Sequence, residues 1–224
     1  MSGTATFDLA VVGHGMVGAA AARHAAMTGA RVALIGPAEQ PRALWSNLNT
    51  FGAHFDEGRI TRKTDIDPVW ARLAARSIDR YAEIEEQSGI PFFCEVGHLT
   101  VSLLGSDTLS KRAAIARELD VREVQELPAV ALSSRFPYLS FPSDCSGVFE
   151  PYESGHISAR KLVQAQAAAA AKYGCTLINE EVMQVERIPT LSRADTAAVD
   201  SDAPAAFCLR LMSGAVIEVR RATR

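Results

Sequence analysis

Apolar residues fall into short blocks separated by glycine, proline and charge, and the spacing inside each block predicts an element. Phe7 to Val12 is a mainly apolar run, richest in β-branched residues at its end, and predicts a buried strand. Ala19 to Thr28 is alanine-rich and predicts a helix, with Gly29 placed to close it. Arg31-Val32-Ala33-Leu34-Ile35 predicts a second buried strand. Strand, glycine turn, helix and strand within about 30 residues make a βαβ unit, whose two strands run parallel.

Beyond this unit, Gly36 to Asn49 carries Pro37 and Pro41 and reads as a loop. Asp67-Pro68 starts a strong helix, with Asp as N-cap and Pro at its first position. Trp70, Leu73, Ala74, Ile78, Tyr81 and Ile84 step by three and four, and Gly89 ends the pattern. Strands are predicted at 91–94 and 99–103, a helix at 106–119, and an irregular stretch at 134–143. A short strand at 147–150 precedes a helix from Ala159 to about Tyr173, capped by Ser158 and closed by Gly174. Strands follow at 176–179 and 182–188. Residues 189–204 are poor in hydrophobic residues and read as a loose surface loop. Residues 207–211 and 216–219 predict a hairpin.

Composition narrows the class. The 224 residues carry 23 basic and 26 acidic side chains, a formal charge of −3, with no sustained basic run. That argues against a nucleic-acid surface. No apolar run approaches the ~20 residues that span a bilayer, and the N-terminus lacks the basic start of a signal peptide. Cys94, Cys145, Cys175 and Cys208 are scattered, as are the five histidines, so neither a disulfide framework nor a zinc site is indicated. A reduced, cytoplasmic setting is expected.

The chemistry concentrates at Gly13-His14-Gly15-Met16-Val17-Gly18, which has the spacing of a dinucleotide fingerprint. Gly13 permits the tight turn out of the strand. Gly15, lacking a Cβ, lets a pyrophosphate approach the backbone. Gly18 lets helix and strand pack closely. The phosphates would sit at a helix N-terminus, with its free N–H groups and partial positive charge. The pattern alone is weak, but its place inside a βαβ unit is the confirming context. One position departs from the rule. Where an acid usually ends the second strand to hold the ribose, this chain has Gly36. Glu39, three residues on, is the nearest carboxylate: either it reaches back to the ribose or water does the job, and it also reads as a solvated loop acid. Arg42 is the one candidate for a 2′-phosphate.

A second constellation, His54 to Lys63, packs a histidine, Arg59 and Arg62 into ten residues. The arginines could hold carboxylates with bidentate forks. On composition alone a charged surface loop is the stronger reading.

Together these segments resemble a family. The N-terminal fingerprint, Gly52-Ala53-His54 with Arg59-Ile60-Thr61-Arg62, and the helix around Trp70 to Ile84 resemble FAD-dependent amine oxidoreductases of the D-amino-acid oxidase superfamily. The branch of monomeric sarcosine oxidase and N-methyltryptophan oxidase is the most similar. Gly97-His98-Leu99 resembles its "TGVL" strand, and Gly147 to Pro151 with Ser154 to Ile157 resembles its "EPNSGVL" segment.

The resemblance implies an α/β fold: a Rossmann-like FAD-binding domain with a parallel sheet and helices, plus a partial mixed-sheet substrate domain. The expected boundaries are 1–90 and 146–224 for the FAD-binding domain and 91–145 for the inserted substrate portion. It implies FAD as cofactor, a small amine or amino acid as substrate, and oxidation of its C–N bond. Gly13, Gly15, Met16, Val17 and Gly18 would bind the cofactor, with Glu39 at the ribose and the Val182 backbone at the adenine. His54 and Arg59 would be catalytic, beside the flavin, and Arg62 would hold a substrate carboxylate. The family spaces its histidine and first arginine by four, so one residue near Gly58 must be looped out here. Family members are longer, and the chain stops before the strand that returns to their parallel sheet. It therefore reads as an N-terminal portion: a truncated isoform, a fragment or an incomplete gene model. The alternatives are an NAD(P)-dependent dehydrogenase and a non-catalytic nucleotide-binding protein.

Overall fold

A computed structural model of the chain describes residues 5–47, 51–188 and 206–219. The loop expected at 189–204 lies outside them. In chain order the elements begin with β1 (Ala5–Phe7), β2 (Leu9–Val12), α1 (Met16–Ala26) and β3 (Val32–Ile35). A short 3-10 turn over Arg42–Asn47 leads to β4 (Arg59–Thr61), α2 (Pro68–Ile78), α3 (Tyr81–Ser88), β5 (Phe93–Glu95) and β6 (His98–Leu103). Then come α4 (Asp107–Glu118), β7 (Gln125–Pro128), α5 (Ala129–Arg135), β8 (Cys145–Glu150) and β9 (Gly155–Ile157). The order closes with α6 (Ala159–Lys172), β10 (Thr176–Ile178), β11 (Val182–Ile188), β12 (Ala206–Leu211) and β13 (Val216–Val219). No helix among the described residues is long and apolar enough to cross a membrane.

The chain divides into two compact units. The first joins the residues up to Phe55 with those from Leu162 onward. Its centre is the expected parallel sheet, ordered β10-β3-β2, with Leu9 opposite Val32 and Ile178 opposite Ile35. Strand alternation gives β3 two buried faces. Val32 and Leu34 pack against Ala19, Ala22 and Ala26 of α1 and Val163, Ala167 and Ala170 of α6. The small alanines let both helices lie close to the sheet. Ala33 and Ile35 face the other way, onto Leu209, Leu211, Ile217 and Val219 of a four-stranded sheet ordered β1-β13-β12-β11. The predicted hairpin is there, as antiparallel β12 and β13.

The run expected as one strand from Phe7 to Val12 is two. Asp8 breaks it, accepting from the Arg31 backbone N–H at 2.9 Å and pairing with the Arg31 guanidinium at 3.0 Å. The backbone thereby changes sheets, with β1 joining β13 and β2 joining β3.

The second unit spans Asp56 to Lys161, a longer insertion than residues 91–145. Pairing explains the difference: β4 and β5, from before and within that range, both pair with β9 from beyond it. A second sheet, β6-β8-β7, packs on α5 through Leu132, Phe136, Cys145 and Phe149. The helix expected from Asp67 to Gly89 is two helices, broken at Asp79-Arg80. Strand β7 and helix α5 were not anticipated.

Candidate functional site

The glycine loop occupies the junction of β2 and α1, in the first unit. Gly13 leaves the strand with φ +115°, a conformation that side chains other than glycine rarely adopt, and its N–H donates to the Ile35 carbonyl at 2.8 Å. Gly15 is the N-cap of α1. Its backbone is extended, no side chain among the described residues caps the helix, and the first turn carries no acid. The first-turn N–H groups are therefore left for an anion. A Cβ on Gly18 would stand 1.8 Å from the Gly13 carbonyl oxygen, so only glycine allows the helix to close on the turn. At Gly15 the opposite holds: among the described residues beyond its chain neighbours, a Cβ would approach no atom more closely than His54 Nδ1 at 4.0 Å. The loop is thus packed behind and open in front.

In front lies a cavity of about 1300 Å³, lined by all six residues Gly13 to Gly18 and by segments 52–55 and 179–181. It exceeds the ~300–1,000 Å³ of ordinary small-molecule pockets, as a long dinucleotide requires. His54 is 8% exposed and lies over the loop. Its ring meets Phe55 edge-on at 4.8 Å, and Phe55 stacks on Trp45 at 5.7 Å. Gly52 makes room for it, since a Cβ there would stand 2.6 Å from His54 Cε1.

His14 shows a further sign of an absent polar partner. Its Nδ1 is buried and has no hydrogen-bond partner among the described residues. Burial pushes the imidazole pKa below its ordinary value, against a smaller opposing pull from a hydrogen bond to the Gly36 backbone. The bare helix N-terminus, the cleared space before Gly15 and this unsatisfied nitrogen all fit a phosphate-bearing dinucleotide.

The structure brings Gly13, Gly15, Met16, Val17, Gly18 and His54 to one cavity. Glu39 and Val182 lie beside it: their neighbours Ala38, Gln40 and Glu181 line it and they do not. Arg59 and Arg62 belong to the second unit. Arg59 is exposed and donates to Asp56 Oδ2 at 2.7 Å. Arg62 is half-buried, donating to the Thr64 carbonyl at 3.0 Å and to Asp65 Oδ2 at 2.9 Å. Glu150 fixes this segment. Only 1% exposed, it accepts the backbone N–H groups of Lys63 and Thr64 at 3.0 and 3.2 Å and the Thr64 hydroxyl. His98 Nδ1 stands 3.5 Å from Glu150 Oε1, at the outer limit of a hydrogen bond.

Sequence reasoning missed Asn179, Glu180, Glu181 and Met212, which also line the cavity. The usable signal was polar residues directly after a parallel strand, where α/β sheets bind ligands.

Residues 8–209 match the family described as FAD dependent oxidoreductase. The chain belongs to that family. A monomeric sarcosine oxidase of Streptomyces avermitilis is 29% identical over 179 residues, covering 80% of this chain and 44% of the relative. An N-methyl-L-tryptophan oxidase of Yersinia pestis is 26% identical over 173 residues, covering 77% of this chain and 44% of the relative. The chain thus spans less than half the length of these curated relatives. Among solved structures, glycine oxidase from Geobacillus kaustophilus superposes with a TM-score of 0.69 at 21% identity, over 98% of this chain and 55% of that one. At that identity the likeness speaks for the fold. FAD is the family's cofactor, and the glycine loop is the element suited to hold its pyrophosphate.

Proposed function

We propose that the protein to which this chain belongs oxidises the C–N bond of a small amine or amino acid, using FAD held on the glycine loop. The observation that carries the reading is the bare N-terminus of α1, opened by Gly13 and Gly15 onto a cavity with His54 over it. The named relatives that are oxidases of sarcosine and N-methyl-L-tryptophan support an amino-acid amine as the substrate class. When bound, FAD would supply the acceptor for a hydride equivalent from the carbon next to nitrogen.

The protein's part is placement and charge. The N–H groups of the α1 first turn would bind phosphate oxygens. His54 and Arg59 would stabilise negative charge that builds during reduction. Arg62 would bind the substrate carboxylate, and to do so it must exchange Asp65, its present partner at 2.9 Å, for the substrate. An internal carboxylate that holds the guanidinium until substrate arrives spares it an unpaired state.

Arg62→Ala is expected to lower kcat/KM for amino-acid substrates about 10- to 100-fold, the loss of one charge-assisted contact. Arg62→Lys should recover part of it, since lysine lacks the fork. Amines without a carboxylate should be unaffected. Steady-state rates across a panel of N-methyl, D- and decarboxylated substrates check this, and unchanged kcat/KM for every amino acid would remove Arg62 from the role.

A further inference from the structure

The acid that usually ends the second strand of a dinucleotide site is missing here, and the packing shows why. A Cβ on Gly36 would stand 2.6 Å from the backbone nitrogen of His14 and 3.3 Å from its Cα. Backbone atoms cannot rotate away, so no side chain fits at this position while the glycine loop keeps its course.

The neighbouring strand offers the replacement. Strand β10 runs parallel to β3 with Ile178 opposite Ile35, and the Gly36 N–H donates to the Ile178 carbonyl at 3.0 Å. Asn179, Glu180 and Glu181 therefore leave the sheet at the level of Gly36, one strand over, and all three line the cavity. The two carboxylates differ in what they are free to do. Glu180 Oε2 accepts the Ser213 backbone N–H at 3.1 Å and so closes the β12–β13 turn onto this segment. The Glu181 backbone is held by the same turn, its carbonyl accepting the Met212 N–H at 2.9 Å. The Glu181 carboxylate has no hydrogen-bond or ion-pair partner among the described residues. The chain is thus fixed on both sides while one acidic group is left over, on the wall of the cavity.

We propose that Glu181 accepts the ribose hydroxyls of the cofactor's adenosine half, the task that Gly36 cannot perform. This rests on the dinucleotide reading of the cavity and adds a residue that determines which nucleotide is accepted. A carboxylate takes two hydroxyl donors and repels a 2′-phosphate.

The test uses the whole chain and four probes: FAD, ADP, 2′,3′-dideoxy-ADP and 2′-phospho-ADP, with dissociation constants measured by calorimetry. Wild-type protein should bind ADP at least about tenfold more tightly than the dideoxy compound, the worth of hydrogen bonds to a charged acceptor. Glu181→Gln, isosteric and on an exposed residue, should erase most of that difference, weaken FAD by a similar factor and relax the penalty on the 2′-phosphate. Persistence of the full ribose preference in Glu181→Gln would overturn the proposal, as would its loss in Glu39→Gln alone. If the wild-type chain binds neither FAD nor ADP, the dinucleotide reading itself falls and this proposal falls with it.

Discussion

A single carboxylate, Glu150, carries much of the electrostatic order of the second unit. Burial pushes its pKa up, but the His98 imidazole and the Thr64 hydroxyl and N–H together hold it below its ordinary value. A carboxyl depressed in the folded state contributes stability above its unfolded pKa and loses it as pH falls through the folded value. Glu150→Gln is therefore expected to cost about 1–3 kcal/mol at pH 7, since the buried N–H groups keep only a weaker acceptor. That deficit should shrink as pH falls below about 4.5. Urea midpoints for both proteins between pH 7 and pH 3 check this; a pH-independent difference would mean that the charge is not what Glu150 provides. At this scale the sequence was legible where a residue type is dictated by the backbone. Gly13 and Gly18 could be read because a left-handed turn and a contact at 1.8 Å exclude every other residue. Glu181 could not be read, because its neighbourhood depends on β10 pairing with β3 far back along the chain.

Among the elements, those with local punctuation were recovered. Asp67 caps α2 as expected, its carboxylate accepting from Val69 N at 2.8 Å and Trp70 N at 3.1 Å. Asp67→Ala should destabilise the protein by about 1 kcal/mol, within the ~0.5–2 range for lost N-caps. Thermal unfolding checks it, and Asp67→Asn should restore most of the loss; a Tm unchanged by alanine would show that α2 frays independently of the rest. The helix beyond Asp67 was read too long because its apolar period continues through Asp79-Arg80. Tyr81 and Ile84 stay buried, but Trp70 is 67% exposed and Leu73 48%. Lys63 holds the Asp79 carboxylate at 2.6 Å where the helix breaks. That contact joins residues sixteen apart and leaves no mark on the periodicity. Strand β7 and helix α5 escaped notice for a related reason. Both are short, and their burial comes from Cys145 and Phe149 on β8, outside their own sequence.

For the whole molecule, the parallel pairing of β2 with β3 followed from the βαβ pattern, whereas the place of β10 did not, because its partner β3 lies far back along the chain. The extent of the inserted unit did not, because β4 and β9 are three-residue strands that exist only as partners of each other and of β5. The proposed chemistry depends on FAD binding at the glycine loop of the first unit. Gly15→Val isolates it, since among the described residues a Cβ at this position meets nothing beyond its chain neighbours nearer than 4.0 Å, so the variant should fold while its side chain fills the phosphate's place. The decisive measurement is titration of FAD, NADH and NADPH into wild-type and Gly15→Val protein, followed by flavin or nicotinamide fluorescence, with circular dichroism confirming that both are folded. The wild type should bind FAD saturably and both nicotinamide nucleotides more weakly, and a folded Gly15→Val should lose FAD binding. Equal FAD binding by the two proteins, or a preference for NADH or NADPH, would contradict FAD binding at the glycine loop.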